Sequence, residues 1–473
     1  MNQRMQELSK LELDKIHDAT LWILKEVGIA FKSEEALKIF KNHGVKVAGE
    51  IVYLDSKTID KALESAPSEF RLEARDSSKS VTIGGDNIVL LPGYGTCNMI
   101  SVTGDIRKPI CEDYDNFCKL VQTSNVINMN GCLMVEPHDI DPNFSHLHMM
   151  RSNILLCDKP FVGSSVSEKA AKESIQMAGI TWGSEDTIRN KPVMIAIISS
   201  LSPLQYSAEM AGALIEYAKK GQANMLGGLL MAGSTAPVEV PSTIVLQNAE
   251  FLAGIVLAQL VQPGNPVVYG GTSTITDMKS GAPAVGAPEL SMIQNAQVQI
   301  AKMYKLPCRG SGGISDAYIP DAQAAIESSL ALSTTLRSGS NFILHAAGIL
   351  GSYLAMSYEK FIIDEEIIGM LLRMFTPMEF SDQEIDLETI QSVGIGGEYL
   401  THPKTFKKFR KEYYLPNILQ RQNYDQWVNS GKKLIHEVAA EKCRLRLESY
   451  QKPDISPDIA SDLSSFVDKR MPN

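Results

Sequence analysis

The 473-residue chain lacks the marks of several large protein classes. Its seven cysteines, at 97, 111, 118, 132, 157, 308 and 443, form no CxxC pair. That excludes a zinc ribbon, and the odd number suits free thiols in a reducing compartment better than a disulfide framework. No uninterrupted apolar stretch reaches the roughly 18 residues of a membrane span. The charged opening, MNQRMQELSKLELDKIHDAT, has no apolar signal-peptide core, so the expected location is the cytoplasm. Basic charge is not in excess: the net charge is −10 and the pI about 5.4, which argues against a broad nucleic-acid or membrane-surface footprint. No GxGxxG follows the first strand, no GxSxG elbow opens a helix, and no HExxH occurs.

What is present is a rhythm. Residues 11 to 45 carry two helical patterns, LELDKIHDATLWILKEVG and SEEALKIFKNHG, each ending at Gly. From about 50 to 108 short β-like runs take over, punctuated by turn residues. From 111 onward, helix-like pieces alternate with short apolar runs: INMNGCLMV, PFVGSS, PVMIAIIS, ANMLGGLL, PVVYGGTS, LPCRGSG and NFILHAAG. Short apolar runs alternating with helices read as parallel strands buried on both faces. Seven such units predict an α/β fold of the (β/α)₈ barrel type, with the eighth strand sought in LPGYGTCNMI or near SVGIGG. The expected division is an N-terminal helical and β-rich extension over 1–110, a barrel core over 111–378 and a C-terminal helical extension over 379–473, whose final SPDIASDLSSFVDKR is a candidate oligomer contact.

Active sites of such barrels lie at the carboxyl ends of the strands. There the sequence places Glu136 and His138, Ser164 and Ser165, Ser199, Ser200 and Ser202, Gly271 to Ser273, Arg309 to Tyr318, and His345. Small hydroxyls and glycines dominate. They mark either a large partner that approaches closely or tight βα turns. His138, His146 and His148 are close in sequence, but His146 and His148 are two apart on a helical pattern and face different ways, which speaks against a metal site. Tyr94, Tyr318 and Tyr353 offer phenol rings for a quaternary-ammonium cage, each contact worth about 0.5 to 2 kcal/mol, or ordinary core tyrosines. In RGSGGISDAY, Arg309 either meets an anionic ligand or pairs with Asp316.

The ordering of the motifs LPGYGTCNMISVTGDIRKP, YGGTSTITDMKSGAPAVGAPE, RGSGGISDAYIPDAQAAIES, HAAGILGSYLAMSYEKFIIDEE and GIGGEYLTHPKTFKKFRKEYYLPNILQRQNYDQW resembles the trimethylamine methyltransferase family of corrinoid-dependent enzymes, over nearly the whole chain. It looks most like the branch without pyrrolysine, since every position here is an ordinary amino acid. The resemblance implies methyl transfer from a quaternary amine to the Co(I) of a separate corrinoid protein, so the cobalamin comes with the partner and is not bound permanently. Betaines are the expected substrates: glycine betaine, proline betaine, carnitine or γ-butyrobetaine. A trimethylamine-type enzyme and a non-catalytic betaine-binding barrel are the alternatives. A tetraalkylammonium already carries an activated leaving group, so no covalent or proton-transferring residue is required. The expected substrate-binding residues are Tyr94, Asn98, Arg309, Asp316, Tyr318, His345 and Tyr353, with an imidazole N–H of His345 donating to the carboxylate. Ser273, Gly312 and Gly313 are expected to face the corrin, and a homo-oligomer is expected.

Overall fold

The computed structural model of the protein describes residues 5–189 and 191–471. It is a mixed α/β molecule built on two parallel sheets. In the first, strands Val267–Tyr269, Ala223–Gly227, Met194–Ser199 and Phe161–Gly163 lie side by side. In the second, Arg309–Ser311 and Val89–Leu90 flank Phe342–Leu344. A parallel bridge between Tyr269 and Cys308 joins the sheets on one side. On the other, the amides of Asn128 and Met129 donate to Leu90 O, and Asn130 bridges in parallel to Phe161. The run INMNGCLMV therefore enters the parallel array through single bridges rather than as a regular strand.

The parallel strands are buried on both faces, which continuous apolar runs require. Their helices start where the local chemistry dictates. Ser167 caps Glu168–Trp182 through the Ala170 amide, and Asp321 caps Ala322–Ser338 through the Ala324 amide. Gly339, left-handed at φ 83°, ends the latter helix. The segment before residue 111 is no mere appendage, since its Val89–Leu90 strand is hydrogen-bonded to Phe342–Leu344. By contrast, SVGIGG ends a short helix, Leu387–Val393, and contributes no strand.

Three N-terminal helices, Lys10–Trp22, Glu34–Asn42 and Ser56–Ser65, pack on the Val240–Val261 helix. That helix is long and apolar enough to cross a bilayer, yet it is mostly buried between this shell and the strands and carries the buried polar residues Gln247, Asn248, Glu250 and Gln259. At the C-terminus, Ile435–Glu448 packs on Tyr358–Met374 and Cys111–Gln122.

Candidate active site

The loops after the strands converge on a cavity of about 190 Å³. Its polar and aromatic wall is Tyr94, Ser199, Thr272, Arg309, His345 and Tyr353, and its apolar floor includes Ile197, Met225 and Leu344. Strand register brings the first group together. Arg309 pairs with Phe342 and Ser311 with Leu344, so the residue after Leu344, His345, reaches the Arg309 guanidinium. The carbonyl of Arg309 accepts from Gln294 Nε2 and Gln297 Nε2 of the preceding helix, which holds its backbone in place.

Arg309 Nη2 lies 3.1 Å from His345 Nδ1. Arginine can only donate, so Nδ1 is the unprotonated nitrogen; the Nε2–H then donates to Tyr94 O at 3.1 Å. Both ring nitrogens are thus occupied by the protein, and the expected donation from His345 to a ligand carboxylate is not the arrangement found. Burial and the adjacent guanidinium hold the imidazole pKa well below its usual range, so the ring is neutral. Arg309 itself is buried, meets no carboxylate among the described residues, and leaves Nε without a partner. Burial pushes its pKa down to about 10, which keeps it charged at neutral pH. A buried cation without a counter-ion is penalised by several kcal/mol, roughly, and is held only where the surroundings are otherwise stable.

The Tyr353 ring sits 4.9 Å from the His345 ring, tilted by 58°. Its hydroxyl is buried without a partner at hydrogen-bonding geometry, although Thr272 is near enough to influence it. His345, Ser352 and Tyr353 all occupy the left-handed region, at φ 62°, 54° and 74°. Non-glycine residues there cost about 1 to 3 kcal/mol each and cluster at ligand clamps. His345 directly follows Phe342–Leu344, while Ser352 and Tyr353 turn the chain between the short strands Ile349–Leu350 and Ala355–Met356.

The other expected residues lie elsewhere. Asp316 accepts from the amides of Val285 and Gly286 and from Ser352 Oγ. Its carboxylate is occupied in fastening loops, so it neither pairs with Arg309 nor lines the cavity. Tyr318 is 62% exposed and lies over Gly351. Asn98 donates to Leu354 O on the outer surface.

The small residues hold loops to one another. A Cβ on Gly312 would fall 2.2 Å from His345 O, and one on Gly271 2.2 Å from Gly228 O. Gly313 is similarly crowded by Ala346 O and Asp364. Ser273 Oγ accepts from the Leu230 amide, and Ser200 and Ser202 donate to the buried Glu250. Ser273, Gly312 and Gly313 are buried, not turned outward. His146 and His148 go to separate carboxylates, Glu173 and Asp115. Sequence reasoning missed Ile197, Met225 and Leu344, because a strand buried on both faces shows no alternation to tell inward from outward.

A parallel α/β scaffold that buries an unpaired cation among phenol rings at its strand ends is the frame of a small-ligand enzyme. The model of the trimethylamine methyltransferase (MTTB) family matches residues 1–473, and the chain belongs to that family; it is a methyltransferase. It is 42% identical to the glycine betaine methyltransferase of Desulfitobacterium hafniense, over 98% of this chain and 96% of that one. It is 33% identical to the proline betaine:corrinoid methyltransferase of Eubacterium limosum, over 97% and 96%. The L-carnitine:corrinoid methyltransferase of Eubacterium limosum is 30% identical, over 94% and 93%. Among solved structures, the hydroxylamine complex of MtmB superposes with a TM-score of 0.55 at 12% identity, covering 95% of this chain and 90% of that one, a likeness of fold alone.

Proposed function

We propose that the protein demethylates a betaine by transferring one N-methyl group to the cobalt(I) of a separate corrinoid protein. The observation that carries the reading is Arg309, a buried guanidinium without an acid, opening onto a cavity walled by Tyr94 and Tyr353. A simple cation would be repelled by it. A zwitterion places its carboxylate on the guanidinium and its ammonium against the phenol faces. The relatives named for glycine betaine, proline betaine and carnitine support the class.

In this reading the parallel segments close into a (β/α)₈ barrel whose first strand is Val89–Leu90, so that the core begins before residue 111. The two bridging regions, at Tyr269–Cys308 and at 128–130, support closure. The chain's own residues bind, orient and desolvate. The C–N electron pair stays with nitrogen, which leaves as a neutral tertiary amine, so no proton needs to move. The acceptor protein approaches across the mouth. There the loops expose Leu201, Val238, Met278, Tyr318 and Leu354, an apolar rim in place of the small residues expected to face the corrin.

The direct test is methylcobalamin formation from chemically reduced cobalamin, with glycine betaine, proline betaine, carnitine and γ-butyrobetaine as donors against trimethylamine and choline. Turnover of at least one betaine is expected. Use of trimethylamine or choline alone would remove the carboxylate argument.

His345 acts in this scheme as a positioning residue for Arg309. In His345→Gln the side-chain carbonyl still accepts from Arg309 and the amide still donates to Tyr94 O. Betaine kcat/KM is expected to fall roughly 10- to 100-fold in His345→Ala, the worth of a hydrogen bond to a charged group, and distinctly less in His345→Gln. Because the ring is already neutral, the wild-type profile is expected to show no histidine step between pH 6 and 8, roughly the range where an ordinary imidazole titrates.

A further inference from the structure

The segment 376–434 contributes nothing to the site, yet it carries the motif GIGGEYLTHPKTFKKF and a run of large apolar side chains. Phe380, Leu387, Ile395, Leu400 and Phe406 are all exposed, Ile395 fully. Helix Pro403–Glu412 buries no residue of its own. The segment is nonetheless anchored. Arg373, at the end of the Tyr358–Met374 helix, donates to Glu412 O, and Tyr414 OH donates to Glu366 halfway along it. A helix after a parallel strand runs back toward the strand's start, so this end lies on the face opposite the cavity.

Ordering so long a segment is opposed by about 1 to 2 kcal/mol of backbone entropy per residue, which burial normally offsets. Here an exposed apolar surface of this extent marks an interaction face. Its charge pattern indicates the occupant. Residues 376–403 contain six acidic residues and no lysine or arginine, whereas 404–411 contain five basic residues and no acid. Among the described residues, Lys404 with Asp386 and Lys408 with Glu384 join the two halves. Among the described residues, Lys407, Lys411, Glu388 and Glu398 make no ion pair. A surface that is acidic on one half and basic on the other, with apolar groups across both, is complementary to itself turned through a twofold axis. That is the requirement of an isologous interface.

We propose that 376–434 is a dimerisation arm that docks on the same arm of a second copy, acidic half against basic half, leaving the cavity mouth free for the methyl acceptor. The test uses the full chain in analytical ultracentrifugation at micromolar concentration, with two charge-reversed variants, Lys407→Glu/Lys411→Glu and Glu388→Lys/Glu398→Lys. The wild type is expected to be a dimer. Each variant alone places like charges opposite each other and is expected to be monomeric, with far-UV circular dichroism unchanged. An equimolar mixture restores opposite charges on both contacts and is expected to dimerise. A monomeric wild type, a variant that dimerises alone, or a mixture that stays monomeric would each overturn the proposal.

Discussion

Arg309→Met is expected to lower kcat/KM for glycine betaine by about 30-fold to a few thousand-fold, the range for removing one partner of a buried, hydrogen-bonded charge pair at 2 to 5 kcal/mol. Methionine replaces most of the arginine stem with an unbranched apolar chain of similar volume, so the loss reports chiefly the guanidinium and not a large cavity. The comparison substrate is tetramethylammonium, which has no carboxylate. The wild type brings its methyl groups up against an unpaired buried cation, whereas the variant does not. The variant is therefore expected to process tetramethylammonium at least as well as the wild type, in the same methylcobalamin assay. Parallel losses on both substrates would assign Arg309 a structural role. Arg309→Lys is expected to recover little, because a single ammonium cannot present the planar fork to a carboxylate or keep the 3.1 Å contact to His345 Nδ1.

Lys360→Met is expected to lower the unfolding free energy by about 3 to 5 kcal/mol. Lys360 and Asp364 form a fully buried ion pair behind the site. Lys360 Nζ also donates to Gly313 O and Ser328 Oγ, while Asp364 accepts from the Gly348 amide. The pair thus fastens the loop after Arg309–Ser311 to the loop that carries His345. Removing the lysine strands a carboxylate in the core. The double variant Lys360→Met/Asp364→Asn is expected to regain part of the loss, since the neutral amide still accepts from Gly348. The pH dependence follows from the carboxyl group. Burial raises the Asp364 pKa to about 6 even beside the lysine, and without that cation it rises further. A raised carboxyl pKa stabilises the folded form below the transition and loses that contribution as the pH rises through it. The deficit of Lys360→Met is therefore expected to be largest at pH 8 and to shrink toward pH 5, roughly, as the stranded group takes up a proton. Urea denaturation at a series of pH values measures it.

Much of this architecture is written locally. Short apolar runs alternating with amphipathic segments determine a parallel α/β core, since only strands covered on both faces tolerate continuous apolar residues. Ser167, Asp321 and Gly339 set helix ends through bonds to neighbours a few residues away. Strand ends in turn locate the loops, and so Tyr94, Arg309, His345 and Tyr353 could be collected before any contact was known. Partner choice is different, because it depends on which loops the register brings face to face. Asp316, seven residues from Arg309, turns to the amides of Val285 and Gly286, while Arg309 meets His345 across a strand pair. Gly312 looks like room for a ligand in the sequence but is closed by the backbone of His345. The sequence by itself determined the mixed α/β class, several helix ends and the strand-end loops that carry the cavity residues, because those follow from bonds and burial within a few residues. Only the tertiary structure decided that Arg309 is buried without an acid and that His345 has no nitrogen to offer a ligand, because both depend on strand register and the packing of loops far apart in the chain.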